Sequence, residues 1–338
     1  MMTHMRREAL QAPDCVARLL EAEAETVSAL AQAIRTGHAG PWLTVARGSS
    51  DCAAAYFVTA MALLNGRIVS SLPPSLVTVY GARLILDNAC LVAFSQSGQS
   101  PDLLAVVENL HAGRGRTVAF VNDMDSPLAR LVGCAVPLHA WPETAVAATK
   151  SVIAEFVGGA FLAAELAGPG TLRQAFAELP SQLRAAMQGD NSSVAQSLAG
   201  AANLFVIGRG LGLSVAQEIA LKFKETCGIH AEALSSAELR HGPMALLDEQ
   251  SHALLLTLAG PGETELLDCA GFLRTQGVTV QTVGHQASAS LTLPPTSGYV
   301  LNPVCALAAL YPVVDEVALL RHRNPDAPLR IQKVTLTL

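Results

Sequence analysis

The chain has 338 residues, of which 51% are hydrophobic and 15% are charged, and its net charge is −6. A chain of this length predicts two domains of ordinary size, and the high apolar content excludes a disordered protein. No block of Lys and Arg interrupts the acidic balance. Nucleic acid is therefore excluded as a partner, because phosphate backbones are bound mainly by basic patches.

The distribution of apolar residues and cysteines predicts an intracellular, cytoplasmic protein. The N-terminal residues turn polar at once and lack the apolar stretch of a signal peptide. The most membrane-like stretch, Ser151–Ala167, carries Glu155 and Glu165 and is too short and too charged to cross a bilayer. It is predicted to be a buried helix, and no membrane partner is expected. The seven cysteines are scattered without a Cys-x-x-Cys pair, which is typical of reduced thiols and not of a zinc site.

Short apolar runs alternate with long helical segments in the first half of the chain. Residues 42–46, 90–94 and 117–121 are rich in apolar and β-branched side chains and are predicted to be strands. A helix to about Leu64 follows the first strand, and another helix begins near Pro101 after the second. This alternation predicts a parallel sheet with helices on both faces.

The same order returns in the second half of the chain. Three further strands, each offset by about 160 residues from its counterpart, are predicted at 204–207, 254–258 and 278–283. Breakers and polar residues between 168 and 193 place the join between the halves there. The predicted fold class is therefore α/β, with two tandem, doubly wound domains at residues 1–185 and 186–338.

Residues 95–100, Ser-Gln-Ser-Gly-Gln-Ser, lie between the second predicted strand and the next helix. Ser100 suits the position that caps this helix, Pro101 its first position and Asp102 its first turn. Free N–H groups, the positive helix end and several hydroxyls form an anion site without Lys or Arg, and the glycine lets the backbone approach a ligand closely. The alternative is a polar turn whose serines satisfy only local backbone groups. The equivalent position of the second half has Leu-Ala-Gly-Pro-Gly, so the duplication is chemically unequal.

A glycine-containing turn follows the first strand of each half. Residues 47–51, Arg-Gly-Ser-Ser-Asp, stand at a strand end where open α/β sheets collect ligands, although an ordinary helix-capping turn has the same composition. Residues 208–212, Gly-Arg-Gly-Leu-Gly, are similar to a dinucleotide loop but lack the Gly-x-Gly-x-x-Gly spacing. The second turn is therefore only a weak indication of a nucleotide site.

The densest cluster of charged residues lies in the segment 218–244. Glu218, Lys222 and Glu225 fall at positions i, i+4 and i+7 and share one helix face. Such a face is commonly a solvated row of ion pairs, but a carboxylate flanked by lysines near a strand end is also suited to moving protons. His241 is a second candidate acid or base, with a structural histidine as the alternative.

Together these residues resemble the sugar isomerase (SIS) family in its tandem form, over nearly the whole chain. The similarity begins at Met5–Pro13, which is similar to the family's opening helix Met-x-x-Glu-Ile-x-x-Gln-Pro, and it ends at Pro325–Thr335. It also includes Val146–Lys150, both polar turns of the first half and the charged cluster. Within the family, the isomerase part of glucosamine-6-phosphate synthase and the stand-alone glucosamine-6-phosphate deaminases are the most similar. The resemblance implies two flavodoxin-like SIS domains, with an N-terminal helix and a C-terminal tail that contributes to the active site.

The resemblance also implies a role for each matching residue. Glu225 moves a proton between C1 and C2 of the sugar, with Lys222 and Glu218 as its companions. His241 opens the sugar ring from the neighbouring subunit of a homodimer, and Lys333 closes over the open-chain sugar. The sugar phosphate is held by Ser95, Gln96, Ser97, Ser100, Ser49 and Ser50, and the sugar is contacted by Arg47, Gly48, Val146 and Ala148.

The chain departs from the family pattern at two sugar-contacting positions and in the part that would supply ammonia. Arg47 stands where the synthase has Cys, and Ala148 where it has Ser. No glutaminase domain precedes the isomerase part, so ammonia from glutamine is not expected. We therefore expect a glucosamine-6-phosphate deaminase, which converts glucosamine 6-phosphate to fructose 6-phosphate and ammonia without a metal or redox cofactor.

Other activities are compatible with the same residues. The same base could run plain aldose–ketose isomerisation or cleave a fructosamine 6-phosphate adduct. A non-catalytic sugar-phosphate sensor is an alternative of another class, but it would not need Glu225, Lys222 and Lys333 together. A nicotinamide enzyme that uses the 208–212 loop is the last alternative.

Overall fold

The computed structural model describes residues 2–37, 40–84, 87–111 and 115–333, so Val334 and the rest of the predicted tail lie outside the described residues. The described chain forms two compact units, each assembled from separate segments. The first unit contains residues 14–143, 150–176 and 332–333, and the second contains residues 2–13, 144–149 and 177–331. This division differs from the predicted boundary after residue 185, because the chain start joins the second unit and Lys333 joins the first.

Helices and strands alternate through the first half of the chain. They are α1 (His4–Ala9), α2 (Ala12–Ala22), α3 (Ala24–Gly37), β1 (Trp42–Val45), α4 (Ser49–Asn65), β2 (Val69–Ser71), α5 (Ser75–Thr78), β3 (Cys90–Ser95), α6 (Pro101–His111), β4 (Arg116–Val121), α7 (Pro127–Leu131), β5 (Cys134–Pro137) and α8 (Lys150–Ala167).

The second half repeats this alternation, with one π-helical turn (Phe223–Cys227) and one 3-10 turn (Pro243–Leu246). Its elements are α9 (Arg173–Ala186), α10 (Ser192–Ala199), β6 (Asn203–Gly208), α11 (Leu211–Lys222), β7 (His230–Ser235), α12 (Ser236–Leu239), β8 (His252–Thr257), α13 (Glu263–Thr275), β9 (Thr279–Gly284), β10 (Leu291–Thr292) and α14 (Asn302–Leu320).

Each unit is built on a parallel sheet of five strands with the same strand order. The order is β2-β1-β3-β4-β5 in the first unit and β7-β6-β8-β9-β10 in the second. Numbered within its own half, each sheet has the order 2-1-3-4-5, which is the flavodoxin-like order of doubly wound folds. The predicted α/β fold class and the tandem duplication are thus confirmed.

The central strands are buried on both faces, which explains why their sequences are continuous apolar runs. Every residue of β1 and of β3 is buried. Phe94 of β3 lies in register beside Phe120 of β4, and their rings stack with centroids 5.3 Å apart. Phe57 of α4 packs against Phe94 at a centroid distance of 5.8 Å. The apolar residues that predicted the strands therefore form the core of the unit.

Two long helices, α8 and α14, are almost entirely buried. The burial of α8 confirms the buried helix predicted at Ser151–Ala167. Among the described helices, α14 is the one that is long and apolar enough to cross a membrane, but 83% of its most apolar window is buried within the protein. Such burial is typical of the core helix of a globular unit.

The structure contains elements that were not predicted from the sequence. The edge strands β2, β5, β7 and β10 are short or partly exposed and carry no clear apolar run. The segment between 168 and 193, predicted only as a join rich in breakers, contains the helix α9 with Pro180 inside it. The seven cysteines are free thiols.

Candidate active site

The serine loop (residues 95–100) connects the carboxyl end of β3 to α6. The Ser95 hydroxyl accepts a hydrogen bond from the Gly98 N–H at 3.0 Å, which closes the turn. Gly98 has a left-handed backbone with φ of +61°, and a Cβ at this position would overlap with the side chain of Ser126. Packing inside the unit therefore explains this glycine, and the predicted close approach of a ligand is not needed to account for it.

The serine loop leads directly into the N-terminus of α6. The Ser100 carbonyl accepts the first helical hydrogen bond from the Leu104 N–H at 3.2 Å, so Ser100 occupies the predicted capping position. Gln96, Ser97 and Ser100 are half-buried. Hydroxyl and amide groups beside the positive end of a helix form a suitable environment for an anion.

Arg47 and Asp102 link the turn after β1 to the first turn of α6. The Nε of Arg47 lies 2.6 Å from Oδ2 of Asp102, whose side chain is fully buried, while the arginine side chain is 51% exposed. The other carboxylate oxygen accepts the Leu103 N–H at 2.9 Å. Arg47 was predicted as a sugar contact, and the structure gives it a partner inside the unit. Its charge offsets a carboxylate that would otherwise repel an anion at this helix end.

The turn after β1 carries the other predicted residues of this strand end. Gly48 is exposed, with φ of +57°, and Ser49 and Ser50 begin α4. Both serines are half-buried, and the Ser50 hydroxyl donates to Oε1 of the buried Glu155 at 2.9 Å. The hydroxyl of Ser50 thus has a fixed orientation at the N-terminus of α4.

A cavity of about 700 Å³ lies at the carboxyl edge of this sheet, after the ends of β3, β4 and β5. Gln96 of the serine loop and Glu143 both line it. The side chain of Glu143 is fully buried, and its Oε2 lies 3.2 Å from the Nζ of Lys333. Lys333, the predicted tail lysine, therefore contacts a residue in the wall of this cavity. Gln96, which is predicted to bind the phosphate, lines the same cavity.

Val146 and Ala148 belong to the second unit and are both half-buried. Their neighbours Ala145 and Ala147 are buried, so the alternate residues of this segment are the ones that reach the surface. Their predicted contact with the sugar stays a prediction.

Glu218, Lys222 and Glu225 come together at the end of α11. The Nζ of Lys222 lies 3.3 Å from Oε1 of Glu218 and 2.7 Å from Oε2 of Glu225. The side chains of Glu218 and Lys222 are 0% and 1% exposed, and that of Glu225 is 23% exposed. The alternative of a solvated row of ion pairs is therefore excluded. Glu225 itself lies in the π-helical turn that follows α11, a feature that is frequent at functional sites.

The electrostatics of this set keep Lys222 charged. Burial by itself would lower the pKa of Lys222, but the carboxylates of Glu218 and Glu225 raise it above its ordinary value. The Tyr311 hydroxyl donates to Oε1 of Glu218 at 3.0 Å and fixes the inner carboxylate. The exposed part of Glu225 lines a cavity of about 360 Å³, together with residues from 321 to 329. A fixed cation thus holds a carboxylate at the wall of a cavity.

His241 lies in the second unit, between α12 and the 3-10 turn. The residue is exposed, and its backbone N–H donates to the Glu238 carbonyl at 2.9 Å. The following Gly242 has φ of +148°. An exposed histidine on a turn is compatible with contribution to a neighbouring subunit, which stays a prediction.

The duplication extends to a side-chain contact. Arg209 follows β6 as Arg47 follows β1, and its Nε lies 3.1 Å from Oε2 of Glu265 in the first turn of α13. The two halves differ in that Glu263 also lies in this turn. Two partly exposed carboxylates at a helix N-terminus disfavour an anion. This difference supports the expectation that only the first half binds phosphate.

Two residues that contact the predicted set, Glu143 and Tyr311, carry no recognisable signal in the sequence. Glu143 was hidden in the polar segment before α8, where its position eight residues ahead of Ser151 gave no recognisable spacing. Tyr311 lies in the apolar run of α14, where an aromatic residue indicates core packing and not a hydrogen bond to a carboxylate.

The chain belongs to the SIS domain family, because the SIS domain profile matches residues 39–164 and 197–292. Two curated relatives are glutamine–fructose-6-phosphate aminotransferases [isomerizing]. The one from Thermococcus kodakarensis is 29% identical over 266 residues, with 74% of this chain and 44% of the relative covered. The one from Zymomonas mobilis is 30% identical over 270 residues, with the same shares covered. The chain therefore spans less than half the length of these relatives.

Solved structures show the same fold. A candidate phosphosugar isomerase from Silicibacter pomeroyi matches with a TM-score of 0.89 and 37% identity, with 96% of this chain and all of that chain covered. A glucosamine-6-phosphate deaminase from Thermotoga maritima matches with a TM-score of 0.82 and 19% identity, with 99% and 100% covered. At that identity the second likeness concerns the fold alone.

Proposed function

We propose that the chain moves a proton between C1 and C2 of a sugar phosphate, and that its reaction is the deamination of glucosamine 6-phosphate. The observation that carries the proposal is the contact of 2.7 Å between the buried Lys222 and the partly exposed Glu225. A carboxylate held in one place by a buried cation is suited to act as a general base, which contributes about 10²–10⁴-fold to a rate.

In the proposed reaction, the predicted residues act one after another. The serine loop binds the phosphate. His241 protonates the ring oxygen while the C1 hydroxyl loses its proton to water, so that the sugar opens to its aldehyde. Glu225 then removes the C2 proton and returns it to C1, which converts the amino aldose to an imine at C2. Water adds to this imine, and the products are fructose 6-phosphate and ammonia. Lys333 donates hydrogen bonds to the open-chain sugar.

The choice of an amino sugar is supported by the curated relatives. Their names combine fructose 6-phosphate, transfer of an amino group and isomerisation. Such a combination requires a ketose and an amino sugar to interconvert at C2. The deamination proposed for this chain uses the same two sugars.

Plain aldose–ketose isomerisation is the second candidate. It is favoured by the name of the relative at 37% identity, a candidate phosphosugar isomerase. The proton step would be the same, because Glu225 serves either reaction. A non-catalytic sensor is less well supported, since the burial of Lys222 between two carboxylates is costly and brings no advantage to phosphate binding alone.

An assay of ammonia and fructose 6-phosphate on the purified chain tests the proposal. The assay has three arms. The first contains glucosamine 6-phosphate, the second contains fructose 6-phosphate alone, and the third contains fructose 6-phosphate with glutamine. We expect ammonia and fructose 6-phosphate in equal amounts from glucosamine 6-phosphate. A Glu225→Gln variant should lose this turnover, whereas Glu232→Gln, an exposed glutamate of the same unit, should keep it.

Each arm of this assay decides between activities. Aldose–ketose interconversion without ammonia would replace deaminase by isomerase. Turnover that depends on glutamine would indicate the synthetic direction. Binding of sugar phosphates without turnover in any arm would sink the enzymatic proposal and support the sensor.

A further inference from the structure

Glu143 is a buried carboxylate that no part of the proposed reaction uses directly. It lies between β5 and α8, and its side chain is fully shielded from solvent. Its Oε2 accepts a hydrogen bond from the Ser151 hydroxyl at 2.6 Å, and its Oε1 accepts the Ser151 N–H at 3.3 Å. The carboxylate is therefore fixed at the N-terminus of α8, where the helix dipole favours a negative charge.

The backbone that carries Glu143 is fixed as well. The side-chain amide of Asn122 donates to the Trp141 carbonyl and accepts the Ala140 N–H, both at 2.9 Å. The buried Lys150 donates to the Pro142 carbonyl at 2.8 Å. Hydrogen bonds on the residues just before Glu143 thus limit the positions that its carboxylate can adopt.

Lys333 reaches this carboxylate from the C-terminal segment. Its Nζ lies 3.2 Å from Oε2 of Glu143, and its side chain is 24% exposed. The apolar side chains before it contribute little packing, since Leu329 is 78% and Ile331 is 39% exposed. The position of the Lys333 ammonium group therefore depends mainly on its contact with the buried Glu143 carboxylate.

We propose that Glu143 is a positioning residue for Lys333: it anchors the end of the described chain and sets the ammonium group at the wall of the 700 Å³ cavity. The effect on turnover rests on the proposed function, in which Lys333 contacts the open-chain sugar. The anchoring itself does not depend on that function. Ser151 acts through Glu143 and should have a smaller effect of the same sign.

Kinetics of the Glu143→Gln variant test the effect of Glu143 on turnover. Glutamine keeps the shape and a hydrogen-bond acceptor for Ser151 but loses the charge that attracts Lys333. Misplacement of a contacting group by about 1 Å can cost about 100-fold in rate, so we expect kcat to fall by about that factor with KM nearly unchanged. Glu143→Asp should recover part of kcat. The matched control is Glu21→Gln, an exposed glutamate of the same unit.

Limited trypsin digestion of the full chain tests the anchoring without any substrate. Cleavage after Lys333 removes the last five residues and is detected by mass spectrometry. Because proteolysis follows the population of the open form, we expect cleavage at this bond to be about tenfold faster in Glu143→Gln than in Glu21→Gln, with the thermal midpoint of both recorded. If Glu143→Gln fails to fold, Ser151→Ala is used and should accelerate the same cleavage.

The two readouts separate the two proposals. Faster cleavage in a chain whose wild type turns over no sugar phosphate would support the anchor and reject the proposed function. Wild-type cleavage and wild-type kcat in Glu143→Gln, or in Ser151→Ala where that variant replaces it, would overturn the anchor. A fall in kcat that Glu143→Asp does not relieve, with unchanged cleavage, would also overturn it.

Discussion

The Nζ of Lys222 lies 2.7 Å from Oε2 of Glu225 and 3.3 Å from Oε1 of Glu218, so one buried cation joins two carboxylates of unequal exposure. The inner carboxylate is shielded and bound by Tyr311, and the outer one borders a cavity. The buried lysine therefore limits the positions that the Glu225 carboxylate can adopt at the wall of this cavity. This arrangement explains how the chain can hold a partly exposed carboxylate in place with few charged residues.

Loss of the buried cation should destabilise the second unit. Lys222→Met leaves two carboxylates near each other without a counter-charge, and breaking a buried pair in this way costs about 3–5 kcal/mol. Lys224→Met is the matched control, because Lys224 is exposed on the same π-helical turn, and it should change stability by less than about 0.5 kcal/mol. Denaturant unfolding followed by circular dichroism measures both. Equal midpoints for the two variants would contradict the buried-cation account.

The raised pKa of Lys222 gives the stability of the chain a defined pH dependence. A pKa that is higher in the folded state means that the stabilising charge is fully present below the ordinary value of 10.5 and is lost as the pH rises through the folded value. We therefore expect wild type to lose its advantage over Lys222→Met only above about pH 10.5. Thermal melts from pH 7 to pH 12 follow this difference, and an advantage that disappeared below pH 9 would be inconsistent with it.

Gly98 should be essential for the shape of the serine loop. Gly98→Ala places a Cβ at φ of +61° and against Ser126, whereas Gly81→Ala has a similar φ of +62° and open space around the Cβ. Both variants pay about 1–2 kcal/mol for the left-handed backbone, but only the first adds overpacking of about 1–3 kcal/mol. Isothermal titration with fructose 6-phosphate should show lost binding in Gly98→Ala alone. Equal binding by the two variants would show that the loop shape does not govern phosphate binding.

Arg47 should act on the phosphate through the charge balance of the serine loop. Arg47→Ala leaves the buried Asp102 uncompensated at the head of α6, and we expect affinity for inorganic phosphate to fall about tenfold, equivalent to about 1.4 kcal/mol. The double variant with Asp102→Asn should recover most of the loss. Arg67→Ala, at an exposed position of the same unit, is the control. Titration of phosphate into each variant distinguishes a role in charge balance from a direct contact with the ligand. If Arg47 contacts the ligand directly, Asp102→Asn would not restore the lost affinity.

The sequence predicted the central strands within two residues, because each is a buried apolar run such as 90–94. It did not predict edge strands such as β10, which has two residues, one of them exposed. Helical spacing placed Lys222 and Glu225 on one face correctly, but the π-helical turn and the burial of the face depend on packing that no spacing reveals. Glu143 was missed because its spacing of eight residues from Ser151 matches no recognisable pattern and its other partner, Lys333, is distant along the chain.

The predicted contribution of His241 across a homodimer can be tested by subunit exchange. A His241→Asn variant and a Glu225→Gln variant should each be inactive. After exchange in equal amounts, about half of the dimers are mixed and each regains one intact site, so about a quarter of wild-type activity should return if the site is shared. Exchange is confirmed by mass spectrometry of differently tagged subunits. Confirmed exchange without any return of activity would contradict the shared site. It would mean that His241 acts with Glu225 of its own subunit or takes no part in the reaction.

The central claim is that Glu225 moves a proton from C2 to C1 of the sugar, and deuterium uptake at C1 tests it most directly. The chain is incubated with glucosamine 6-phosphate in D₂O, and deuterium at C1 of the fructose 6-phosphate formed is measured by NMR. The proton taken from C2 can exchange with solvent while it is on Glu225, because this side chain is 23% exposed. We therefore predict solvent deuterium at C1 with wild type and with Glu232→Gln, and a loss of about 10²-fold or more in Glu225→Gln while fructose 6-phosphate still binds. Deuterium uptake by Glu225→Gln at the wild-type rate would contradict the account.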